Sequence, residues 1–64
     1  MSIGKQMRLR REELGLSRAE LAKELGVSPS AISNYENGVS SPKEDILLKL
    51  FNALRIDPNY LYRD

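Results

Sequence analysis

Residues 28–42, SPSAISNYENGVSSP, are rich in side chains that form hydrogen bonds and do not titrate near neutral pH. The stretch holds seven Ser or Asn residues and, besides proline, four apolar ones. The apolar residues are Ala31, Ile32, Tyr35 and Val39. They fall three and four positions apart, which is the spacing of one helix face. The outward face of such a helix would carry small hydroxyl and amide groups, which recognise other molecules through hydrogen bonds.

The composition argues against catalysis and metal chemistry. A chain of 64 residues has room for one small domain, which buries only about 60% of its unfolded surface. The sequence contains no His and no Cys, so the commonest catalytic base, the thiol nucleophile and the usual zinc ligands are absent. We therefore expect no enzyme activity, no metal and no cofactor, and a fold stabilised by helix packing.

The net charge of +1 does not by itself indicate a nucleic-acid partner. Six basic residues lie within the first 24, but four glutamates lie among them, as on a solvated helix surface. No apolar run reaches the roughly 18 residues that span a bilayer, and no signal peptide is recognisable. We expect a cytoplasmic protein with no membrane partner and no small-molecule ligand.

Helix start and stop signals divide the chain into five helical segments, which predicts an all-α fold. The segments, with their predicted caps, are residues 3–14, 17–26, 28–38, 41–54 and a short one from 57. The predicted N-caps are Ser17, Ser28 and Ser41. Glu20 and Glu44 stand three residues after a cap, and Pro29 and Pro42 occupy first helical positions. The fourth segment is the most apolar, so we expect it to form the backbone of the core.

The second and third segments are separated by a turn of only about three to four residues, which forces a crossing of roughly 90–120°. Gly26 supplies the turn, and Ala22 is small where the two backbones meet. Ile32 and Tyr35 would anchor the third segment on the core. These are the requirements of a helix-turn-helix, here over residues 17–37.

Two longer stretches extend this pattern over nearly the whole chain. GLSRAELAKELGVSPSAISNYENG, followed by SPKEDILLKLFNALRIDPNYL, resembles the Cro and phage-repressor class of helix-turn-helix domains, typified by the lambda and 434 repressors. The resemblance implies a five-helix, lambda-repressor-like DNA-binding domain over residues 1–64. It also implies that the third segment is the recognition helix, which enters the major groove of DNA.

The resemblance assigns base reading to Pro29, Ser30, Ser33 and Asn34. Asn can bind adenine with two hydrogen bonds, Ser can donate or accept, and a proline ring can contact a thymine methyl. The family often has longer Gln or Arg side chains at these sites, so DNA shape and water could share in the readout. Alternatively, Ser28 and Ser30 only cap the helix and Asn34 only faces water.

The resemblance also assigns contacts with the DNA backbone to Ser17, Arg18, Asn37, Gly38 and Lys43. Many relatives have Gln where this chain has Arg18, which could bind phosphate or pair instead with Glu20 or Glu24. Lys5 and Arg10 are more typical of a solvated face.

Three further expectations concern structure and assembly. By resemblance, Arg11 and Glu36 form an ion pair that ties the first helix to the end of the recognition helix. The candidates for a homodimer contact on DNA are Ile56, Pro58 and Leu61, although Ile56 and Leu61 could instead complete the monomer core. Arg55 replaces the Gly that commonly ends the fourth helix in relatives, and a left-handed conformation there would cost strain.

The sequence thus predicts a sequence-specific, double-stranded DNA-binding transcriptional regulator, of phage or mobile-element repressor type, that binds an inverted-repeat operator. Alternatives on the same fold are an antitoxin, a restriction-modification controller and a protein-interaction module of bridging coactivators. The chain could be the N-terminal part of a longer regulator or a complete small one.

Overall fold

The computed structural model describes residues 3–56, which form four α-helices. The helices are α1 (Ile3–Glu13), α2 (Arg18–Leu25), α3 (Pro29–Glu36) and α4 (Glu44–Ala53). The all-α prediction is confirmed for this range. The predicted fifth helix, from Asp57 and Pro58 onward with Tyr60 and Leu61, lies outside the described residues. Within residues 3–56, no helix is both long and apolar enough to cross a membrane.

The predicted limits of α2 and α3 are confirmed by their caps. The Ser17 side chain accepts from the Glu20 N–H, and the Glu20 carboxylate accepts from the Ser17 N–H, which completes a capping box. Ser28 caps α3 with Pro29 in its first turn. α2 ends at Gly26 in the left-handed region (φ 73°), which lets the chain turn sharply into α3.

The predicted start of α4 is wrong by two residues. The N-cap is Lys43, without a side-chain cap hydrogen bond, and Ser41 and Pro42 belong to the preceding loop. Starting the helix at Glu44 puts Glu44 and Asp45 into the first turn, where carboxylates interact favourably with the helix dipole. This electrostatic stabilisation replaces the expected serine cap.

One apolar core joins all four helices. Its buried members are Met7, Leu21, Ala22, Leu25, Ile32, Leu50 and Leu54. The predicted prominence of α4 is confirmed for Leu50, Phe51 and Leu54, which are buried, whereas Ile46 and Leu47 are half-buried. Ile32 is fully buried and Tyr35 packs against the cluster, so α3 is held by its inner face and leaves its polar face outward.

The first helix is attached to the other helices at two points that the sequence analysis did not anticipate. Gly4 is buried where α1 meets the end of α3, and a Cβ there would overlap the carbonyl oxygen of Tyr35. Arg10 donates from Nε to the carbonyl oxygen of Leu54 at 3.0 Å. Arg10 was expected to be solvated, but it caps the C-terminal end of α4.

Candidate nucleic-acid interface

The candidate base-reading residues lie on one exposed side of α3. Pro29 and Ser33 are four residues apart, as are Ser30 and Asn34, so both pairs are neighbours on the helix surface. Pro29, Ser30 and Asn34 are exposed, and Ser33 is half-buried. The buried residues of this helix, Ile32 and Glu36, lie on a different side.

The capping hydrogen bonds of α3 do not use the exposed side chains of this polar side. The Ser28 hydroxyl accepts from the Ala31 N–H at 3.1 Å, so Ser28 has the capping role that the sequence allowed for it. Ser30 has no such role, and no hydrogen bond within residues 3–56 engages the side chain of Ser30 or Asn34. These hydroxyl and amide groups can therefore donate to and accept from an incoming molecule.

The start of α2 presents donors of another kind. Its capping box uses the N–H groups of Ser17 and Glu20, at 2.9 and 3.0 Å from their acceptors. The N–H groups of Arg18 and Ala19 donate to no acceptor among the described residues, as expected for the first turn of a helix. The Ser17 hydroxyl accepts in the box and can still donate its own proton. An anion at this end would meet two amides and a hydroxyl.

The capping box also lowers the pKa of Glu20. The Ser17 N–H donates to the Glu20 carboxylate, and this backbone hydrogen bond is the main reason why the pKa of Glu20 lies below its ordinary value. Glu20 is therefore ionised near neutral pH, and its negative charge also interacts favourably with the positive end of the α2 dipole.

Arg11, Arg18 and Glu36 form a three-residue ion cluster beneath this surface. Arg11 binds Glu36 in a bidentate manner, with Nε 2.7 Å from Oε2 and a terminal nitrogen 3.2 Å from Oε1. Its other terminal nitrogen donates to the carbonyl oxygen of Leu16 at 2.8 Å. The structure thus brings together the pair that the resemblance implied, and the Glu36 side chain is fully buried.

The second arginine of this cluster has a partner that the sequence analysis did not name. Arg18 pairs with neither Glu20 nor Glu24; its Nε donates to Oε1 of Glu36 at 3.1 Å. The hydrogen bond and the charge of Glu36 raise the pKa of Arg11 above its ordinary value, although burial opposes the rise. Two guanidinium groups surround one carboxylate, so the cluster carries a net positive charge next to α2.

The loop after α3 is held to the recognition-helix candidate by backbone hydrogen bonds. The N–H groups of Val39 and Ser40 both donate to the Asn34 carbonyl oxygen, at 2.9 and 3.3 Å. Gly38 adopts φ 75°, a left-handed conformation that Gly accepts at little cost. The predicted phosphate-binding residues of this region, Asn37, Gly38 and Lys43, are all exposed.

The candidates for assembly are only partly described. Ile56 is half-buried and packs against the core, which favours the monomer-core alternative for much of its surface. Pro58 and Leu61 lie outside the described residues. Arg55 has φ 55°, so the left-handed end of α4 is kept without a glycine.

Sequence reasoning missed Gly4 and misread Arg10. A glycine inside a helical pattern is a signal that another backbone approaches closely, and it could have identified Gly4. Nothing in the local sequence shows that Arg10 reaches a carbonyl 44 residues away. Within residues 3–56, no group of three or more His, Cys, Asp or Glu side chains could hold a metal ion.

Comparisons with known proteins identify the family and the proteins that this chain resembles. A family model described as helix-turn-helix matches residues 7–61. The chain is 36% identical over 61 residues to the transcriptional regulator ImmR of Bacillus subtilis, covering 95% of this chain and 48% of ImmR. It is 39% identical over 61 residues to repressor protein C2 of Salmonella phage P22, covering 95% of this chain and 28% of C2. The chain therefore spans less than half the length of these relatives.

Two solved structures resemble the whole described fold. The P22 c2 repressor in complex with a synthetic operator superposes with a TM-score of 0.90 at 39% identity, covering 95% of this chain and 92% of that one. SinR of Bacillus subtilis in complex with DNA gives 0.84 at 31% identity, covering 95% and 98%.

Proposed function

The chain belongs to the helix-turn-helix family, and we propose that it is a sequence-specific, double-stranded DNA-binding transcriptional repressor of phage or mobile-element type. The observation that carries the proposal is the exposed, unoccupied polar side of α3, on a fold that superposes at a TM-score of 0.90 on a repressor solved with its operator. A regulator of this kind acts where the DNA is, so the proposed location is the cytoplasm. The role is binding without catalysis.

In this proposal α3 enters the major groove, and Pro29, Ser30, Ser33 and Asn34 read base edges. Asn34 carries the most information, because its amide can bind adenine N6 and N7 together. Ser30 and Ser33 have short side chains and make fewer base contacts, so the sequence-dependent shape of the DNA and bridging water contribute to the readout.

Contacts with the phosphates fix the position of α3 in the groove. Ser17, Arg18 and the first amides of α2 bind on one side, because a helix N-terminus attracts an anion. Asn37, Gly38 and Lys43 bind beyond the other end of α3, where all three are exposed. The net charge of +1 is small for a DNA-binding protein, so affinity depends on these local donors more than on overall charge.

The proposed binding species is a homodimer on an inverted-repeat operator. One domain of this size covers little DNA, and two half-sites about one helical turn apart double the recognised sequence. The contact involves Ile56, Pro58 and Leu61, on the predicted fifth helix and the loop that precedes it. If the chain is the N-terminal part of a longer regulator, the proposed repressor role applies to that whole protein.

Selection of the purified 64-residue chain against a random duplex library, at roughly 0.15 M salt, tests this function. Enrichment of an inverted repeat with half-sites about 10 base pairs apart supports a dimeric repressor. Enrichment of one half-site supports DNA reading by a monomer and contradicts the dimer. If no sequence is enriched although circular dichroism shows a folded chain, the DNA-binding proposal is wrong and a protein-interaction role is favoured.

A further inference from the structure

Arg18 is the one member of the ion cluster that reaches both the buried carboxylate and the surface. Its side chain is 42% exposed, compared with 9% for Arg11 and 0% for Glu36. Only its Nε is engaged within residues 3–56, at 3.1 Å from Glu36. A guanidinium has five N–H donors in a rigid plane, so four donors on the terminal nitrogens of Arg18 stay available.

From this geometry we infer that Glu36 positions Arg18 for a DNA phosphate, and that Arg18 binds both groups at the same time. The inference rests on the proposed function and deepens it. The Nε edge of the guanidinium stays on Glu36, while the terminal nitrogens bind one phosphate beside the start of α2. Glu36 lies in the last turn of α3, so the phosphate contact is connected directly to the recognition helix.

The arrangement is favourable because the cluster prepares the side chain before DNA arrives. A free arginine loses rotamer freedom when it binds, and an arginine already held by a carboxylate loses less. Arg11 already neutralises the charge of Glu36 through a bidentate contact, so the charge of Arg18 is available to a second anion. A Lys or Gln at this position carries all its donors on one nitrogen, whereas Arg can bind Glu36 through Nε and still present two terminal nitrogens to a phosphate.

Two substitutions separate charge from positioning. Arg18→Ala removes both, and we expect affinity for the selected operator to fall about ten-fold. The slope of log affinity against log salt should become less steep by about 0.9, the value for one phosphate. Arg18→Lys keeps the charge and loses the Nε donor, and we expect about five-fold weaker binding at an unchanged melting temperature. The matched control is Arg8, whose Nε pairs with Glu12 on the exposed side of α1. Arg8→Ala and Arg8→Lys should leave operator affinity unchanged.

The ¹H–¹⁵N signal of the Arg18 Nε group tests whether both contacts exist together. The signal is assigned by its loss in Arg18→Lys, and we expect it to remain protected from exchange with water in the free chain and in the operator complex. Loss of protection in the complex would mean that Arg18 leaves Glu36 on binding, which overturns the inference.

The affinity measurements have distinct outcomes. If the wild-type chain binds no duplex, the proposed function and this inference both fail. If it binds and Arg18→Ala binds equally well, only the inference fails. If Arg18→Lys matches the wild type while Arg18→Ala is weaker, Arg18 supplies charge alone and its positioning by Glu36 is disproved.

Discussion

The Nε atom of Arg11 lies 2.7 Å from Oε2 of Glu36, and this contact joins α1 to the end of α3 across 25 residues of sequence. The Glu36 side chain is fully buried and the Arg11 side chain is 9% exposed. A charge buried this deeply is tolerated because its partner is present. The pair therefore attaches the end of α3 to α1.

Replacing Glu36 with Ala should destabilise the fold strongly. The change leaves the buried Arg11 without its partner carboxylate, and we expect the free energy of unfolding to fall by about 3–5 kcal/mol. Urea and thermal melts followed by circular dichroism measure the loss. Glu12→Ala is the matched control, since Glu12 pairs with Arg8 at an exposed site and should matter by less than about 0.5 kcal/mol. Equal losses in both variants would contradict the structural role of the buried pair.

Gly4 should not tolerate even a methyl group. Within a helix, Gly→Ala normally stabilises a protein by about 1 kcal/mol. Here the new Cβ would overlap the Tyr35 carbonyl oxygen and lie 2.8 Å from the Glu36 carbonyl oxygen. The helices α1 and α3 would have to separate, and we expect a destabilisation of about 1–3 kcal/mol. Arg8→Ala, at an exposed site on the same helix, is the control in the same melts. A stabilised Gly4→Ala variant would show that α1 moves away freely.

Arg55 is a site where stability can be gained. Its φ of 55° is left-handed, and a side chain in that conformation costs roughly 1–2 kcal/mol. Replacing Arg55 with Gly relieves this strain, but part of the stabilisation is offset because Gly makes the unfolded chain more flexible. We expect Arg55→Gly to raise stability by about 0.5–1 kcal/mol, which raises the melting temperature by a few degrees. Lys49→Gly, within α4, should instead lower it, and a lower melting temperature for Arg55→Gly would contradict the strain.

Local signals explain why much of the fold was predictable. Ser17 with Glu20, Ser28 with Pro29, and Gly26 are caps and stops whose geometry depends on neighbouring residues only, and the structure has each of them where it was predicted. The start of α4 was misplaced because a serine cap and two carboxylates compete as start signals three residues apart. Sequence alone does not show which of them is stronger.

The long-range contacts were harder to predict, for a different reason. The Arg11–Glu36 pair was expected only because the chain resembles a known family. The two residues are 25 positions apart in the sequence, and no local pattern indicates that they pair. Pairing of Arg18 with Glu20 or Glu24 was the alternative to phosphate binding, because those residues are its neighbours on the same helix, whereas its partner in the structure is Glu36 on α3. A partner on another helix is determined by how the helices pack, which local spacing does not encode.

The capping box of α2 should make stability depend on pH in acid. The pKa of Glu20 lies below its ordinary value of 4.5 in the folded chain, because its carboxylate accepts the Ser17 N–H. A group with a lowered pKa contributes stability that is fully present above 4.5 and is lost as pH falls through the lower folded value.

Glu20→Gln isolates this effect, since an amide oxygen can accept the same hydrogen bond without titrating. We expect the wild type to be the more stable protein near neutral pH. Its advantage in melting temperature should shrink below pH 4.5, the ordinary pKa of Glu20. An advantage that stays constant through this range would mean that the Glu20 carboxylate does not stabilise the cap by its charge.

Asn34 and Lys43 should separate base reading from phosphate binding. Asn34→Ala removes the exposed side-chain amide. The backbone carbonyl of residue 34, which accepts from the Val39 and Ser40 N–H groups, remains, so the loop after α3 is still held to the helix. We expect the variant to lose its preference at one base pair of the selected operator, by about 1–3 kcal/mol, and to bind unrelated duplexes as before. Lys43→Ala should instead weaken binding to every duplex and reduce the salt dependence by about one phosphate contact. Competition with operators that carry single base substitutions measures both effects. A uniform loss of affinity in Asn34→Ala would show that this amide contacts the DNA backbone, and base reading would then belong to other residues of α3.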